Sequence, residues 1–247
     1  MKSILLATSA IVFAALSAQA ADLPVYTKAP VPVVAPFSWS GFYVGGDVGY
    51  IWGRSNVHDV NSYNGAPDFS YGPDGFTGNG HIGYNWQSSI YVFGLEVEGG
   101  YLGLKGSRQY PPYVGVRTPA DSVASVGEGA YVAVTGRVGV VVSGNWLIYG
   151  KGGYAATEVK TTYTDTDPTG LVLTNVTSNR RDGWTAGAGV EWAFTNNWTA
   201  RFEYAHYGFG KATSSGLGGG TLYNFEQSLR ADSVRVGLNY KFGSWAY

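Results

Sequence analysis

Ten charged residues lie in segments of alternating apolar and polar residues, always at the polar positions. They are the side chains best suited to catalysis or ion binding. Glu96 and Glu98 are two residues apart, which in a β-strand places both carboxylates on one face. Paired carboxylates can act as a general acid and base, or they can form ion pairs with neighbouring bases. We favour ion pairing, because catalysis would also need a substrate cavity. The ten residues are Asp47, Glu96, Glu98, Arg137, Lys151, Glu191, Arg201, Glu203, Arg235 and Lys241.

The sequence places no other reactive or ligand-binding residues in the pattern of a functional site. His58, His81 and His206 lack the spacing of metal ligands. The glycine-rich segment 216–220 lacks the lysine and the strand–helix context of a phosphate-binding loop, and cysteine is absent. We therefore predict no cofactor, no metal site and no enzymatic activity. His81 falls on the polar phase and is expected to form hydrogen bonds there.

The elements that must position these side chains are eight runs of alternating residues between Gly41 and Phe242. The connections alternate long and short, as in bacterial outer-membrane barrels, which have brief periplasmic turns and longer external loops. The pattern predicts an all-β fold, an eight-stranded antiparallel up-and-down transmembrane β-barrel whose charged residues face the lumen. An eight-stranded barrel is only wide enough for its own side chains, so the predicted lumen is narrow.

The predicted element boundaries follow from the alternation. The first seven strands are predicted at about 42–53, 77–86, 90–104, 128–142, 146–157, 183–195 and 198–209, and the eighth ends at Phe242. External loops are predicted at about 54–76, 105–126, 158–182 and 211–229. The third of these is expected to extend its hairpin beyond the membrane.

The phase of the strands is fixed by the cost of placing charge in lipid. An Arg or Lys on the outer surface at mid-bilayer costs roughly 2–4 kcal/mol. Five such bases would cost on the order of 10–20 kcal/mol, whereas a whole protein is stable by only ~5–15 kcal/mol. The carboxylates are expected to neutralise the bases inside the barrel, because unpaired buried charge is expensive.

Aromatic residues cluster beside the predicted short turns. Their rings favour the headgroup zone of a membrane, so we expect them to form the periplasmic girdle of the barrel. The alternative is that they occur there only because aromatic residues have high strand propensity. Their recurrence at successive turns favours the girdle. The seven residues are Trp86, Tyr91, Trp146, Trp192, Trp198, Tyr240 and Phe242.

Composition narrows the class of protein and its partners. Of all residues 15% are aromatic and 13% are charged, which favours lipid contact, although a soluble β-sandwich remains possible on composition alone. The formal net charge of −1 gives no reason to expect nucleic acid as a partner. Beyond the N-terminal segment no apolar run is long enough for a membrane helix.

The N-terminal 40 residues predict export followed by a segment outside the barrel. Residues 1–20 have a basic start, an apolar stretch and a small-residue motif, as in a signal peptide cleaved after Ala20. Residues 21–40 contain four prolines and predict an extended, semi-rigid periplasmic arm. The barrel is predicted over 41–242, and a short periplasmic tail over 243–247.

Two terminal segments resemble a known family. Residues 37–46, which read FSWSGFYVGG, follow an arm that begins Ala-Asp and closely resemble the Omp25/Omp31-type (RopB-like) outer-membrane proteins of alphaproteobacteria. Residues 234–242, VRVGLNYKF, are similar to that family's closing strand. Between these ends the resemblance is one of pattern. Members commonly finish at a terminal phenylalanine, whereas residues 243–247 follow Phe242 here, so the residue that serves as the assembly signal stays open.

The resemblance implies a location and a set of partners. It implies a Gram-negative outer-membrane protein, inserted by the outer-membrane barrel assembly machinery, that acts as a surface antigen and supports envelope integrity and host contact. It also makes Ala21 a candidate site of attachment to peptidoglycan. Membrane lipids and lipopolysaccharide are the other expected partners. Arg180 and Arg181 are basic residues at the predicted rim, and whether they bind lipopolysaccharide is left open.

Three functions are compatible with the sequence. The first is a structural outer-membrane barrel and surface antigen with a narrow lumen filled by charge. The alternative is a small-solute porin. A lipid A-modifying barrel enzyme is the least supported function, because it would need a serine paired with a histidine near the outer rim. His206 lies near that rim, but on the predicted lipid-facing phase and without an evident serine partner.

Overall fold

A computed structural model of the protein describes residues 37–60, 68–109, 122–166, 172–218 and 221–243. These residues form nine antiparallel strands. The strands are β1 (Gly41–Asp59), β2 (Phe69–Tyr71), β3 (Asp74–Ser88), β4 (Tyr91–Gln109), β5 (Ser122–Val142), β6 (Trp146–Thr166), β7 (Val172–Ala193), β8 (Trp198–Gly218) and β9 (Thr221–Lys241). Within the described ranges no helix is long and apolar enough to cross a bilayer.

The strands pair in chain order and close into a barrel. β1 pairs with β9 from Tyr43, opposite Lys241, to Asp59, opposite Phe225. Closure removes the open sheet edges that could not be satisfied in lipid. The predicted antiparallel, up-and-down arrangement is confirmed.

The short strand β2 continues β3 and adds no ninth strand to the wall. Ser55 pairs with Tyr71 of β2 and Trp52 pairs with Asp74 of β3, which is one common register along β1. Pro73 interrupts the ladder between them because it has no N–H to donate. The wall therefore consists of eight strands, as predicted.

The short turns all lie at one end of the barrel. They connect β3 to β4, β5 to β6, and β7 to β8. In the second turn Ser143 and Gly144 have φ values of 52° and 72°, and the left-handed conformation costs glycine nothing because it has no Cβ. Short turns are periplasmic in bacterial outer-membrane barrels, which orients the molecule.

The strands extend much further outward than predicted, so the predicted loop boundaries were wrong. β4 continues to Gln109, β5 begins at Ser122, and the β8–β9 hairpin is paired up to Gly218 and Thr221. Beyond the membrane both faces of a strand contact water, so the alternation of apolar and polar residues disappears while the backbone ladder continues. The expected extension of the β6–β7 hairpin is confirmed, since pairing reaches Thr166 opposite Val172.

The outer part of the wall is open between β7 and β8. Among the described residues β7 pairs with β8 only from Gly183, opposite Phe209, to Ala193. β7 nevertheless begins at Val172 and β8 continues to Gly218. We call the outer ends of β4–β7 the first lobe and the outer ends of β8, β9, β1 and β2 the second lobe.

The outer face of the wall carries a continuous apolar band. Phe42 is 63% exposed, Val138 53% and Val236 55%. Exposed apolar surface of this extent is unfavourable in water and matches a lipid-facing surface. The predicted signal peptide, its cleavage at Ala20, the attachment site Ala21, and most of the arm and tail lie outside the described residues.

Candidate functional site in the barrel lumen

Nine of the ten charged residues predicted for the lumen are brought together in one buried layer. Strand alternation turns each of them inward, and none is more than 6% exposed. Seven strands contribute them, so the layer exists only when the barrel is closed. The nine residues are Asp47, Glu96, Glu98, Arg137, Lys151, Glu191, Arg201, Glu203 and Arg235.

Lys151 on β6 lies at the centre of this layer. Its Nζ is 3.0 Å from carboxylate oxygens of Glu96, Glu98 and Glu203. An ammonium group has three donors, and here each of them has a charged acceptor. Glu96 and Glu98 are thereby tied to a common cation from a neighbouring part of the wall.

Arg201 on β8 joins two further carboxylates. Its Nε donates to Asp47 Oδ1 at 2.6 Å and its Nη2 to Asp47 Oδ2, which is the two-pronged geometry that suits guanidinium and carboxylate. Its Nη1 donates to Glu96 Oε2 at 2.8 Å. Asp47 lies on β1 and Glu96 on β4, so this arginine connects opposite parts of the wall.

Arg235 on β9 has both acidic and neutral partners. Its Nη2 donates to Glu203, and its Nη1 is 3.4 Å from Glu98 Oε1. The same Nη1 donates to the Tyr131 hydroxyl at 2.9 Å and to Asn79 Oδ1 at 3.2 Å. Both Nη atoms therefore have partners in a side chain that is only 1% exposed, whereas the buried Nε has none among the described residues.

Arg137 on β5 lies between two aromatic rings. Its guanidinium carbon is 4.7 Å from the ring centre of Tyr43 and 5.1 Å from that of Tyr149, within the range of cation–π contacts. Its Nε donates to Asn85 Oδ1 at 2.8 Å and its Nη1 to Glu191 Oε2 at 3.2 Å. This base is therefore held by one acid and by groups that the sequence prediction did not include.

His81 completes the charged layer. Five carboxylates face four basic groups, so the layer has one excess negative charge when His81 is neutral. The ring Nδ1 is 3.2 Å from Asp47 Oδ2 and 3.1 Å from Arg201 Nη2, and Nε2 is 2.6 Å from Asn239 Oδ1. The expected hydrogen bonding of His81 in the lumen is confirmed.

Lys241 does not belong to the charged layer, and this part of the prediction was wrong. Its side chain points inward, but it lies at the periplasmic end of β9. Its Nζ donates to the Ser40 carbonyl oxygen at 3.3 Å and lies 5.0 Å from the ring centre of Phe37. The phase of the strand was right, but the height along the barrel axis separates this lysine from the other nine.

Apolar side chains close the lumen on both sides of the charged layer. The periplasmic cluster contains Trp39, Val92, Leu147, Tyr149 and Ala193. The larger outer cluster contains Ile51, Leu102, Leu104, Tyr131, Ala133, Ala155, Val159, Ala205, Tyr207, Phe209, Leu229 and Ala231. Tyrosines connect these clusters to the charges, since Tyr149 Oη donates to Glu203 at 2.8 Å and Tyr131 Oη to Glu98 at 3.2 Å.

Trp39 is a lumen residue that the sequence prediction missed. It was assigned to the periplasmic arm, yet its side chain is 1% exposed within the periplasmic cluster. Its backbone N–H donates to Gln87 Oε1 at 2.7 Å, and the Gln87 backbone N–H donates to Ser40 Oγ at 2.9 Å. A tryptophan before the first strand has no phase from which its direction could be predicted.

Comparison with known proteins gives one family across nearly the whole chain. A family model described as "Outer membrane protein beta-barrel domain" matches residues 8–242. The chain belongs to this family. The 31 kDa outer-membrane immunogenic protein of Brucella melitensis is 33% identical over 253 residues, covering 98% of this chain and 100% of that one. The 25 kDa immunogenic protein of Brucella abortus is 30% identical over 98% of this chain and 99% of its own.

Further similarities agree with this assignment. A 22 kDa outer membrane protein of Rhizobium leguminosarum is 33% identical, covering 85% of this chain and 82% of its own. Together with the Brucella proteins it confirms the predicted resemblance to Omp25/Omp31-type proteins and the outer-membrane location. The outer membrane protease OmpT of Escherichia coli superimposes with a TM-score of 0.51, at 10% identity, over 85% of this chain and 99% of that one. At that identity the similarity supports the fold alone.

The seven aromatic residues predicted for the girdle lie on the lower outer surface of this outer-membrane barrel. Several of their rings contact one another: Trp146 with Trp192 at 5.8 Å, Trp198 with Tyr240 at 5.2 Å, and Tyr240 with Phe242 at 5.3 Å between ring centres. Trp86 and Tyr91 flank the first short turn, and both are about half exposed. This placement matches the position that a periplasmic girdle requires.

A recurring tyrosine–aspartate pair marks the opposite, external end of the apolar band. In three hairpins a tyrosine donates to the aspartate located diagonally across on the next strand. The pairs are Tyr50 with Asp74, Tyr154 with Asp182, and Tyr204 with Asp232. His206 also contacts Asp232, with 2.7 Å between Nδ1 and Oδ1. Sequence reasoning missed these pairs, because a diagonal contact depends on the register of both strands.

Proposed function

We propose that this protein is a structural outer-membrane barrel with a closed lumen and without enzymatic activity. In this role the charged layer holds the wall together, and the outer lobes and the tips of the hairpins act as the antigenic surface that meets the environment. The observation that carries the proposal is a fully buried charged layer between two apolar clusters. Such a stack ties the strands together from inside and leaves the outer face for lipid.

The same observation weighs against the small-solute porin. Each base of the charged layer contacts at least one carboxylate of the layer directly. A water-filled path would have to separate these pairs and also displace both apolar clusters. Porins with aqueous channels have 16–18 strands, roughly twice the number in this wall.

The arrangement of the acids and of His206 also favours a role without catalysis. Glu96 and Glu98 both form ion pairs with Lys151, and each is 1% exposed. A lipid A-modifying enzyme would need a serine next to a rim histidine. His206 instead contacts Asp232 and the ring of Trp184, 5.3 Å away, and no described serine hydroxyl forms a hydrogen bond with it.

Electrical recording tests the closed lumen. Purified protein, whose folding is checked by heat-modifiable gel mobility, is reconstituted into planar bilayers and recorded under an applied voltage. We expect no stable conductance steps, and no swelling of sugar-loaded proteoliposomes. Vesicles prepared with boiled protein serve as the control for leakage. Stable, uniform conductance steps from the folded protein would refute the closed lumen.

We further propose that the arm continues into the periplasm and is attached to peptidoglycan through Ala21. Support comes from residues 37–40, which are held at the periplasmic mouth by Gln87 and Lys241. Mass spectrometry of muropeptides from cells with the wild-type chain should detect a species linked to Ala21. An Ala21→Ser variant, which keeps a small residue at the cleavage junction, is the matched control, and its linked species should change in mass by this substitution. Absence of the linked species from wild-type cell walls would contradict this proposal.

Recognition by the barrel assembly machinery is proposed to depend on β9 and Phe242. Phe242 is 47% exposed on the lipid-facing side, and its N–H donates to the Phe42 carbonyl oxygen at 2.9 Å. Deletion of residues 243–247 should therefore leave outer-membrane assembly intact, whereas deletion of 242–247 should reduce it. Membrane fractionation measures both variants, and equal loss in both would assign the signal to the tail.

A further inference from the structure

Two arginines face each other on the outer surface where β1 and β9 close the barrel. Arg54 is the direct partner of Arg230 in the register of these strands. Both side chains are exposed, and both positions belong to the outward phase. Directly opposed residues on one face have Cβ atoms roughly 4.5–5.5 Å apart, and like charges at such positions destabilise the pair.

Neither arginine has a carboxylate partner within the described part of the chain. The nearest acid along β9 is Asp232, which accepts from Tyr204 and contacts His206. No hydrogen bond or ion pair joins Arg54 or Arg230 to another described residue. Two positive charges without ion-pair partners therefore face each other directly, while the neighbouring acids on the same face, Asp74 and Asp232, accept from Tyr50 and Tyr204 instead.

Two other basic residues of this rim differ in that respect. Arg180 is 3.2 Å from Asp182, and Lys211 is 2.5 Å from Glu226. Arg181 does not face the rim at all, because it is 3% exposed in the lumen and donates to Gln227. The Arg54–Arg230 pair is therefore a better candidate for an anion site than the two rim arginines considered from the sequence.

The pair lies just above the apolar band. On β1 the outward residues from Phe42 to Trp52 form that band, and a span of this length matches the roughly 9–11 residues that a strand needs to cross the membrane. Arg54 is the next outward position. Val234 and the positions below it form the band on β9, which places Arg230 at a similar height. Both guanidinium groups therefore lie in the headgroup layer of the outer leaflet.

The wall beside the pair carries aromatic rings on the same outer face. Arg230 is opposite Gly208 on its other side, so that neighbouring position has no side chain. The indole of Trp184 leans over Gly208, and Trp52 lies two residues below Arg54 on the same face. Aromatic rings therefore flank the two charged donors on the outer face of the wall.

We propose that Arg54 and Arg230 together bind one phosphate group of lipopolysaccharide, the phosphorylated glycolipid of the outer leaflet. A phosphate between the two guanidinium groups would accept hydrogen bonds from both and would convert their mutual repulsion into attraction. The aromatic rings would contact the sugar that carries the phosphate. This site goes beyond the structural role proposed above and does not depend on whether the lumen is closed.

Lipid binding by variants tests the site. Folded protein in detergent is mixed with diphosphorylated lipid A, and bound lipid is counted by native mass spectrometry. The double variant Arg54→Gln, Arg230→Gln should lose affinity roughly tenfold or more, because two charge-assisted contacts are removed. The matched control is Arg180→Gln, which removes one exposed charge that already has an acidic neighbour, and it should bind like the wild type. Heat-modifiable mobility checks that every variant is folded.

Two further arms identify the source of the phosphate. Lipid A without phosphate groups should bind wild type and double variant equally, and inorganic phosphate at the same concentration should not compete. Competition by inorganic phosphate would mean a site for free anions and would overturn the assignment to lipid. Equal affinity of the wild type and the double variant for diphosphorylated lipid A would overturn the site itself.

Discussion

Individual bases in the lumen act as connectors between strands that are not neighbours. Lys151 on β6 contacts acids on β4 and β8, and Arg201 on β8 contacts acids on β1 and β4. Buried ions are costly one by one, but the loss of one partner is worse, because it leaves the other charge uncompensated. The stability of the layer is therefore expected to depend on the most highly connected base.

Lys151→Met should reduce the free energy of unfolding by about 3–5 kcal/mol, because three carboxylates would lose their common cation. Equilibrium unfolding in urea, in lipid vesicles, measures this loss. Lys160→Met on the same strand is the control, since Lys160 is exposed and its replacement should change stability by less than about 0.5 kcal/mol. Equal stability of both variants would mean that the layer contributes little.

Residue identity in the charged layer was readable from the sequence only in part. Alternation alone identified Asp47, Arg137 and the other inward charges, because lipid excludes charge from the opposite phase. The neutral partners were missed, although Asn79 and Asn239 lie on the same inward phase. An amide side chain has no cost of comparable size for facing lipid, so the alternation of the sequence does not single out an inward asparagine as a partner. Lys241 shows a second limit of the alternation. It predicts that the side chain points into the lumen, but not where along the barrel axis the side chain lies.

At the scale of elements, the strands have different outward residues where they contact lipid and where they extend into water. Along β5 the outward residues from Val132 to Val142 are apolar and about half exposed. Along the outer end of β7 outward positions such as Arg180 and Ser178 are polar. The same backbone ladder runs through both regions, so pairing is common to them and only the solvent differs.

Val138→Arg should destabilise the barrel by roughly 2–4 kcal/mol, because Val138 lies near the middle of the lipid-facing run of β5. Val176→Arg makes the same change at an outward position beyond the membrane, 61% exposed, and should cost about 0–1 kcal/mol. Urea unfolding in vesicles compares the two. A similar cost at both positions would show that Val138 does not contact lipid.

The element boundaries were predicted well at the periplasmic end and poorly at the outer end. The turns after Ser88, Val142 and Ala193 were found because apolar alternation continues up to them. At the outer end, threonine- and glycine-rich segments such as 160–164 and 211–218 have no apolar phase, yet they continue the ladder. The periodicity of the sequence shows which environment each face of a strand contacts. It therefore indicates a paired strand only where one face contacts lipid and the other does not.

In the whole molecule, several layers of side chains close the barrel lumen one above another. From the periplasm upward the lumen holds an apolar cluster with Trp39, the charged layer, and a larger apolar cluster with Leu102 and Phe209. Above them Gln227 donates to Ser55 and Tyr71. Because several layers close the lumen independently, the removal of one layer should not open a path for ions.

Trp39→Ala should destabilise the barrel by about 3–5 kcal/mol, because a large buried ring is lost from the periplasmic cluster. It should nevertheless leave the protein without conductance, since the charged layer above remains in place. Urea unfolding and planar-bilayer recording of the same preparation measure both quantities. Stable conductance from this variant, with a silent wild type, would identify the arm as the only barrier.

The division of the outer wall between β7 and β8 has a practical consequence for engineering. The β6–β7 hairpin is paired to Thr166 and Val172, about 30 Å of strand beyond the band at ~3.3 Å per residue. No ladder joins this lobe to β8 there, and the contacts of Arg181 and Thr161 with Gln227 lie below the tip, so a foreign epitope grafted at the tip should leave the second lobe undisturbed. The chain is in this sense a display scaffold whose β6–β7 hairpin has an editable tip.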